Sequence, residues 1–227
     1  MSRHATKLLR LAATTSRPIV RLAATRPVPP HFPQISPSRG VAIRYASSDS
    51  SPASTIDPSE ARAEDLMAKA GAALEDGDVE SARKLYADSL EVSEGANAWF
   101  NLGVCEYQLQ NTDEAIHAWE KSLSHSPSPD AHTNLASAYI MSKPPRPALS
   151  IKHLTSALEL SPDDPEIAFN LAAVLESTGS LEHALKLYKR AEDGGIERAK
   201  QNIRNVSAKI LGKKAVAAGD AISGTSP

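Results

Sequence analysis

From Ala96 to Pro127 the chain reads ANAWFNLGVCEYQLQNTDEAIHAWEKSLSHSP, with apolar or small residues at Trp99, Leu102, Gly103 and Cys105, then at Ala115, Ile116, Trp119, Ser122 and Leu123. Steps of three and four line one face of each of two helices. Gln110 to Thr112 is too polar to continue the stripe and predicts a turn. Pro127 predicts the stop, because proline cannot extend the helical ladder and pushes its predecessor out of the helical region. The frame recurs three more times. The small residue opening the second helix runs Ala82, Ala115, Ser150, Ala184; the bulky one runs Tyr86, Trp119, Leu154, Tyr188; the second small one runs Ser89, Ser122, Ala157, Ala191. Four matches in register predict one array, with units near 63–95, 96–128, 129–163 and 165–195.

The ends and joints follow from local chemistry. Asp57-Pro58-Ser59-Glu60 opens the first helix, with aspartate as cap and proline in the first turn. In the third unit Lys143-Pro144-Pro145-Arg146-Pro147 replaces the turn, and the step from Trp119 to Leu154 is 35 residues against 33 from Tyr86 to Trp119. Extra residues in that loop predict an insertion. Ile196, Ala199, Ile203, Val206 and Ile210 predict a further amphipathic helix over 196–212 that covers the open end of the array. Residues 213–227 read as a frayed tail, and 46–57 as a polar linker.

These residues resemble the tetratricopeptide repeat, whose signature of about 34 residues joins a large residue, Leu-Gly, an aromatic, a small residue, an aromatic, a second small residue and proline. In the second unit those places hold Trp99, Leu102, Gly103, Glu106 with Tyr107 beside it, Ala115, Trp119, Ser122 and Pro127. The first unit departs from it at Lys69 and Ala73, as expected of an end repeat facing water. Ala191 to Ile203 also resembles a boundary between Sel1-type repeats. The resemblance implies an all-α fold: a right-handed superhelical solenoid of about four helix-turn-helix repeats with a capping helix. It also implies that Trp99 and Trp119 are buried between the helices of their unit, and that the first helix of each unit lines a groove. Asn101, Asn134 and Asn170, each just before the signature leucine, would then form a column resembling an asparagine ladder, able to bond the backbone of an extended peptide. The carboxylate clamp of chaperone-binding members is not matched. Met67 and Gly71, with Asp130 and Asn134, stand where that clamp needs cations, and Phe100 and Val104 with Glu166 and Asn170 do no better.

Charge changes the picture at the amino terminus. Residues 1–48 carry eight Lys or Arg and no Asp or Glu, and are rich in Ser, Thr and Ala, which predicts a disordered mitochondrial transit peptide over about 1–45. Arg44-Tyr45-Ala46-Ser47 resembles a matrix processing site and points to the matrix as destination. The remainder holds 17 basic against 27 acidic residues, a net of −10, so a nucleic-acid partner is not expected. Nor is stable membrane insertion, since no apolar run reaches about 20 residues.

Reactive chemistry is sparse. His117, His125, His132, His153 and His183 form no close ligand pattern with Cys or carboxylates, so neither metal nor cofactor is expected. Cys105 stands alone at an inward position and reads as a buried, inert thiol. No phosphate loop or nucleophile elbow is present in the array. The expectation is a non-catalytic protein-protein interaction scaffold of mitochondria, an adaptor or assembly factor; the alternative is a permanent structural subunit of a larger complex.

Overall fold

A computed structural model of the protein describes residues 57–223, with side chains for 57–218. The expected presequence, most of the linker, and residues 224–227 lie outside the described residues. Among the described residues all regular structure is helical: α1 (Pro58–Glu75), α2 (Val79–Val92), α3 (Ala96–Gln108), α4 (Thr112–His125), α5 (Pro129–Met141), α6 (Pro147–Leu160), α7 (Pro165–Ser177), α8 (Leu181–Asp193) and α9 (Ala199–Ser223). Extensive packing runs between successive helices, as a solenoid requires.

Caps and turns set the boundaries. The Asp57 carboxylate accepts from the Ser59 N–H at 3.1 Å, with Pro58 beginning α1. Ser128 and Asp164 do the same for α5 and α7, each followed by proline. Between the helices of a pair, Gly77 and Gly179 take φ of 82° and 85°. This left-handed turn returns the Asp78 N–H to the Ala73 carbonyl and the Ser180 N–H to that of Leu175, both at 2.8 Å. Gln110 does the same work at φ 65°, without glycine's freedom. The proline loop of the third unit is well tied: the Arg146 N–H donates to the Tyr139 carbonyl at 2.8 Å, and the Ser142 hydroxyl lies 2.9 Å from the Tyr139 and Pro144 carbonyls.

The register read from the sequence is the register of the core. At the two small positions and the bulky one, none of the twelve residues is more than 2% exposed. The second small position has a physical reason in two units. The Ser89 hydroxyl donates to the Ala63 carbonyl at 3.2 Å and that of Ser122 to the Ala96 carbonyl at 2.9 Å, which ties each second helix to the start of its partner. Gly103 admits the Trp119 indole, whose N–H donates to the Phe100 carbonyl at 3.1 Å.

Two expectations are corrected. Trp119 is buried, but Trp99 is only half-buried. Its neighbours Ala98 and Phe100 take the inward places on α3, and its ring meets His117 edge-on with centroids 6.1 Å apart. The final helix also starts later and runs further than 196–212. Ile196 is buried in the turn before it, Val206 and Ile210 cover Tyr188 and Ala191, and the helix continues past the array to Ser223. From Leu211 to Ala218 its side chains are exposed.

Candidate binding surface

The asparagine column lies on α3, α5 and α7, at equivalent places in three consecutive units. The side chains are buried, with 0%, 8% and 2% of Asn101, Asn134 and Asn170 exposed. Helix packing covers these amides, and Asn134 is the least covered of the three.

More open surface lies at the unit boundaries. A cavity of about 390 Å³ is lined by Glu60, Glu64 and Met67 of α1, Glu94 of the α2–α3 link and the first turn of α3. A larger one, about 750 Å³, lies between the turn after α3 and the proline loop, with Asp113 and Glu114 facing Lys143 and Arg146 across it. Arg146 lies 3.5 Å from Asp113 and 5.1 Å from the centre of the Tyr139 ring, so the loop is braced against both neighbours.

Several polar groups inside the array escape a reading of the sequence. His132 on α5 and His153 on α6 bring their Nδ1 atoms to 2.9 Å, and Tyr139 stacks on His153 at 5.5 Å. Their spacing of 21 residues looks like nothing in the sequence, yet His132 occupies the place of Trp99, and that place faces the second helix. Burial, then the neighbouring His132, pushes the His153 imidazole down to about 4, and burial lowers His132 as well. The Tyr139 hydroxyl donates to Glu120 at 2.8 Å and is pushed up to about 12 by burial first and this carboxylate second. Tyr188 donates to Glu176 at 2.8 Å and accepts from Asn202 of α9 at 3.1 Å, which joins the capping helix to the last pair.

Glu106, where the signature has an aromatic, is buried beside Asn111 at 2.7 Å and Arg83 at 3.7 Å, so its carboxylate joins the second and third helices. Cys105 is fully buried, and desolvation first, then the neighbouring Glu106, pushes its thiol up to about 12, which disfavours the reactive thiolate. Among the described residues no three His, Cys, Asp or Glu gather as a metal site, and no helix is long and apolar enough to cross a membrane.

Comparison with known proteins places this architecture. No curated protein sequence matches the chain. Among solved structures, YrrB, described as a TPR protein with an unusual peptide-binding site, is 23% identical with a TM-score of 0.56 over 63% of this chain and 74% of its own. MamA from Desulfovibrio magneticus RS-1, from residue 41 to its end, is 16% identical with a TM-score of 0.60, over 69% of this chain and 89% of its own. Another MamA structure is 22% identical at 0.60, over 70% and 87%. Likeness at these identities is likeness of fold. The family model described as Tetratricopeptide repeat matches residues 67–131 and 146–200, more than half of the sequence, and the chain belongs to that family.

Proposed function

We propose that this protein is a non-catalytic scaffold of the mitochondrion, an adaptor or assembly factor that holds a peptide segment or a subunit of another protein. The observation that carries this is the four-pair solenoid, whose unit boundaries are open enough to receive side chains. YrrB, of the same fold, is described as having a peptide-binding site. The acid-free basic stretch of residues 1–48 supports the mitochondrial address, with the matrix as compartment. Within the groove the asparagine column is the proposed backbone contact, with Asn134, 8% exposed, the least covered of the three.

The test is capture from isolated mitochondria with tagged protein, the amino terminus of the recovered chain being sequenced at the same time. The scaffold reading expects a terminus near Ala46 and a small set of partners. It expects them to be lost in the triple variant Asn101→Ala, Asn134→Ala, Asn170→Ala with helicity retained. Unchanged capture would make the column structural, and an intact Met1 terminus in the cytosol would overturn the address. A second reading, a permanent structural subunit, is favoured by the braced proline loop and its 750 Å³ hollow. It expects the chain in a stoichiometric particle that survives high salt.

A further inference from the structure

The array contains one hollow twice, filled in one place and open in the other. At the boundary of the second and third units a cavity of only about 30 Å³ is lined by Ala96, Asn97, Phe100, Ser122, Ser126 and Ser128. At a constant step of 33 residues, Ala63, Glu64, Met67, Ser89 and Ser93 hold the same places at the boundary of the first and second units, where the cavity is about 390 Å³. Of the places that differ, Asn97 against Glu64, Ser128 against Gly95 and Phe100 against Met67, the last is the inward one. Phe100 is buried in its hollow, whereas the flexible Met67 is half-buried and leaves its own open.

The open hollow has a definite chemistry. Glu60 and Glu64 stand one turn apart on α1, Glu94 stands on the link opposite, and no Lys or Arg lines the space. Glu94 also lies 3.6 Å from the His125 imidazole. The first turn of α3, Ala96–Ala98, forms the remaining wall, and α3 begins at Gly95 without a side-chain cap. Acceptors on one wall, amide donors on another and an apolar floor fit a peptide residue with a cationic side chain.

We propose that this hollow receives a lysine or arginine side chain from a cationic, extended segment of the partner. This rests on the scaffold reading above and names the chemistry of what the scaffold holds. The aliphatic stem lies along Ala63 and Met67, and the cationic head lies against Glu60 and Glu64, with Glu94 facing it across the space. Because the positive end of the α3 dipole repels that head, it takes the α1 side, and a backbone carbonyl of the segment faces the amides of α3. The net −10 outside residues 1–48 draws such segments toward the array.

The experiment uses the full chain and a fluorescein-labelled peptide of alternating Lys and Leu, with an alternating Glu and Leu peptide as comparison, read by fluorescence anisotropy. The Lys peptide binds and the Glu peptide does not. Met67→Phe, which copies Phe100 and changes no charge, and the pair Glu60→Gln, Glu64→Gln each weaken binding by about tenfold or more with circular dichroism unchanged. The pair Glu182→Gln, Asp193→Asn on α8 removes as much charge and changes affinity by less than about twofold. Equal loss from the α8 pair, full binding by Met67→Phe, or no binding of the Lys peptide overturns the proposal. If Met67→Phe still captures the wild-type partner from mitochondria, this site fails while the scaffold reading stands. If the wild type captures nothing, the scaffold reading itself fails.

Discussion

Gly103 and Trp119 are matched in size. A Cβ on Gly103 would stand 2.6 Å from the indole nitrogen of Trp119, inside any allowed contact. The other units hold Ala70, Ala136 and Ala172 at this place, and each has a smaller partner residue: Tyr86, Leu154 and Tyr188. Gly103→Ala is therefore expected to destabilise the array by about 1–3 kcal/mol in urea titration, and adding Trp119→Tyr should recover part of the loss. Trp119→Ala removes a buried indole and should cost about 3–5 kcal/mol. Trp99→Ala, on a half-buried ring, should cost only about 1–2 kcal/mol by the same titration. The sequence pattern treats the two tryptophans alike, because a three-and-four spacing assigns a face only to within a small rotation of the helix. On α3 that rotation favours Phe100 over Trp99.

Between elements, the third pair is held by an imidazole couple instead of an indole. At 2.9 Å one Nδ1 donates and the other accepts, so a second proton removes the bond and sets two cations side by side. Lys152 adds to the repulsion, while Glu120 and Glu159 oppose it. Unfolded imidazoles take up protons near pH 6.5, whereas folded His153 resists down to about 4. Over that window the unfolded chain binds more protons, so stability falls as the pH is lowered through it and levels off below. The melting temperature of wild type should drop between about pH 7 and pH 5, and that of His153→Gln should drop less. The capping helix divides into two parts by the same reasoning. The described side chains after Ile210, Leu211 to Ala218, are all exposed, so stopping the chain after Ile210 should leave the melting temperature unchanged. Stopping it before Ala199 uncovers Tyr188 and Ala191, and should produce aggregation visible in light scattering.

For the whole molecule, what was legible in the sequence is what packing demands repeatedly. Ala115, Trp119 and Ser122 have the same neighbours as their equivalents one unit away, so four weak patterns reinforce one another and the pairs fall where the register puts them. The candidate surface was less legible, because a residue that meets a ligand answers to no internal period. The burial of Asn101 and Asn170 comes from helices brought over them by the tertiary fold, and the hollow beside Met67 is open because Met67 leaves empty the space that Phe100 fills one unit on.

Both tryptophans of the chain belong to the second unit, one dry beneath Gly103 and one half-wet beside His117. Intrinsic emission is thus a spectroscopic tag on a single link of the array, while far-ultraviolet dichroism sums over α1 to α9. In a nearest-neighbour solenoid a unit flanked on both sides outlasts the ends. The emission midpoint on heating should accordingly lie at or above the dichroism midpoint, and the gap between the two curves measures, without any label, how strongly one repeat depends on the next.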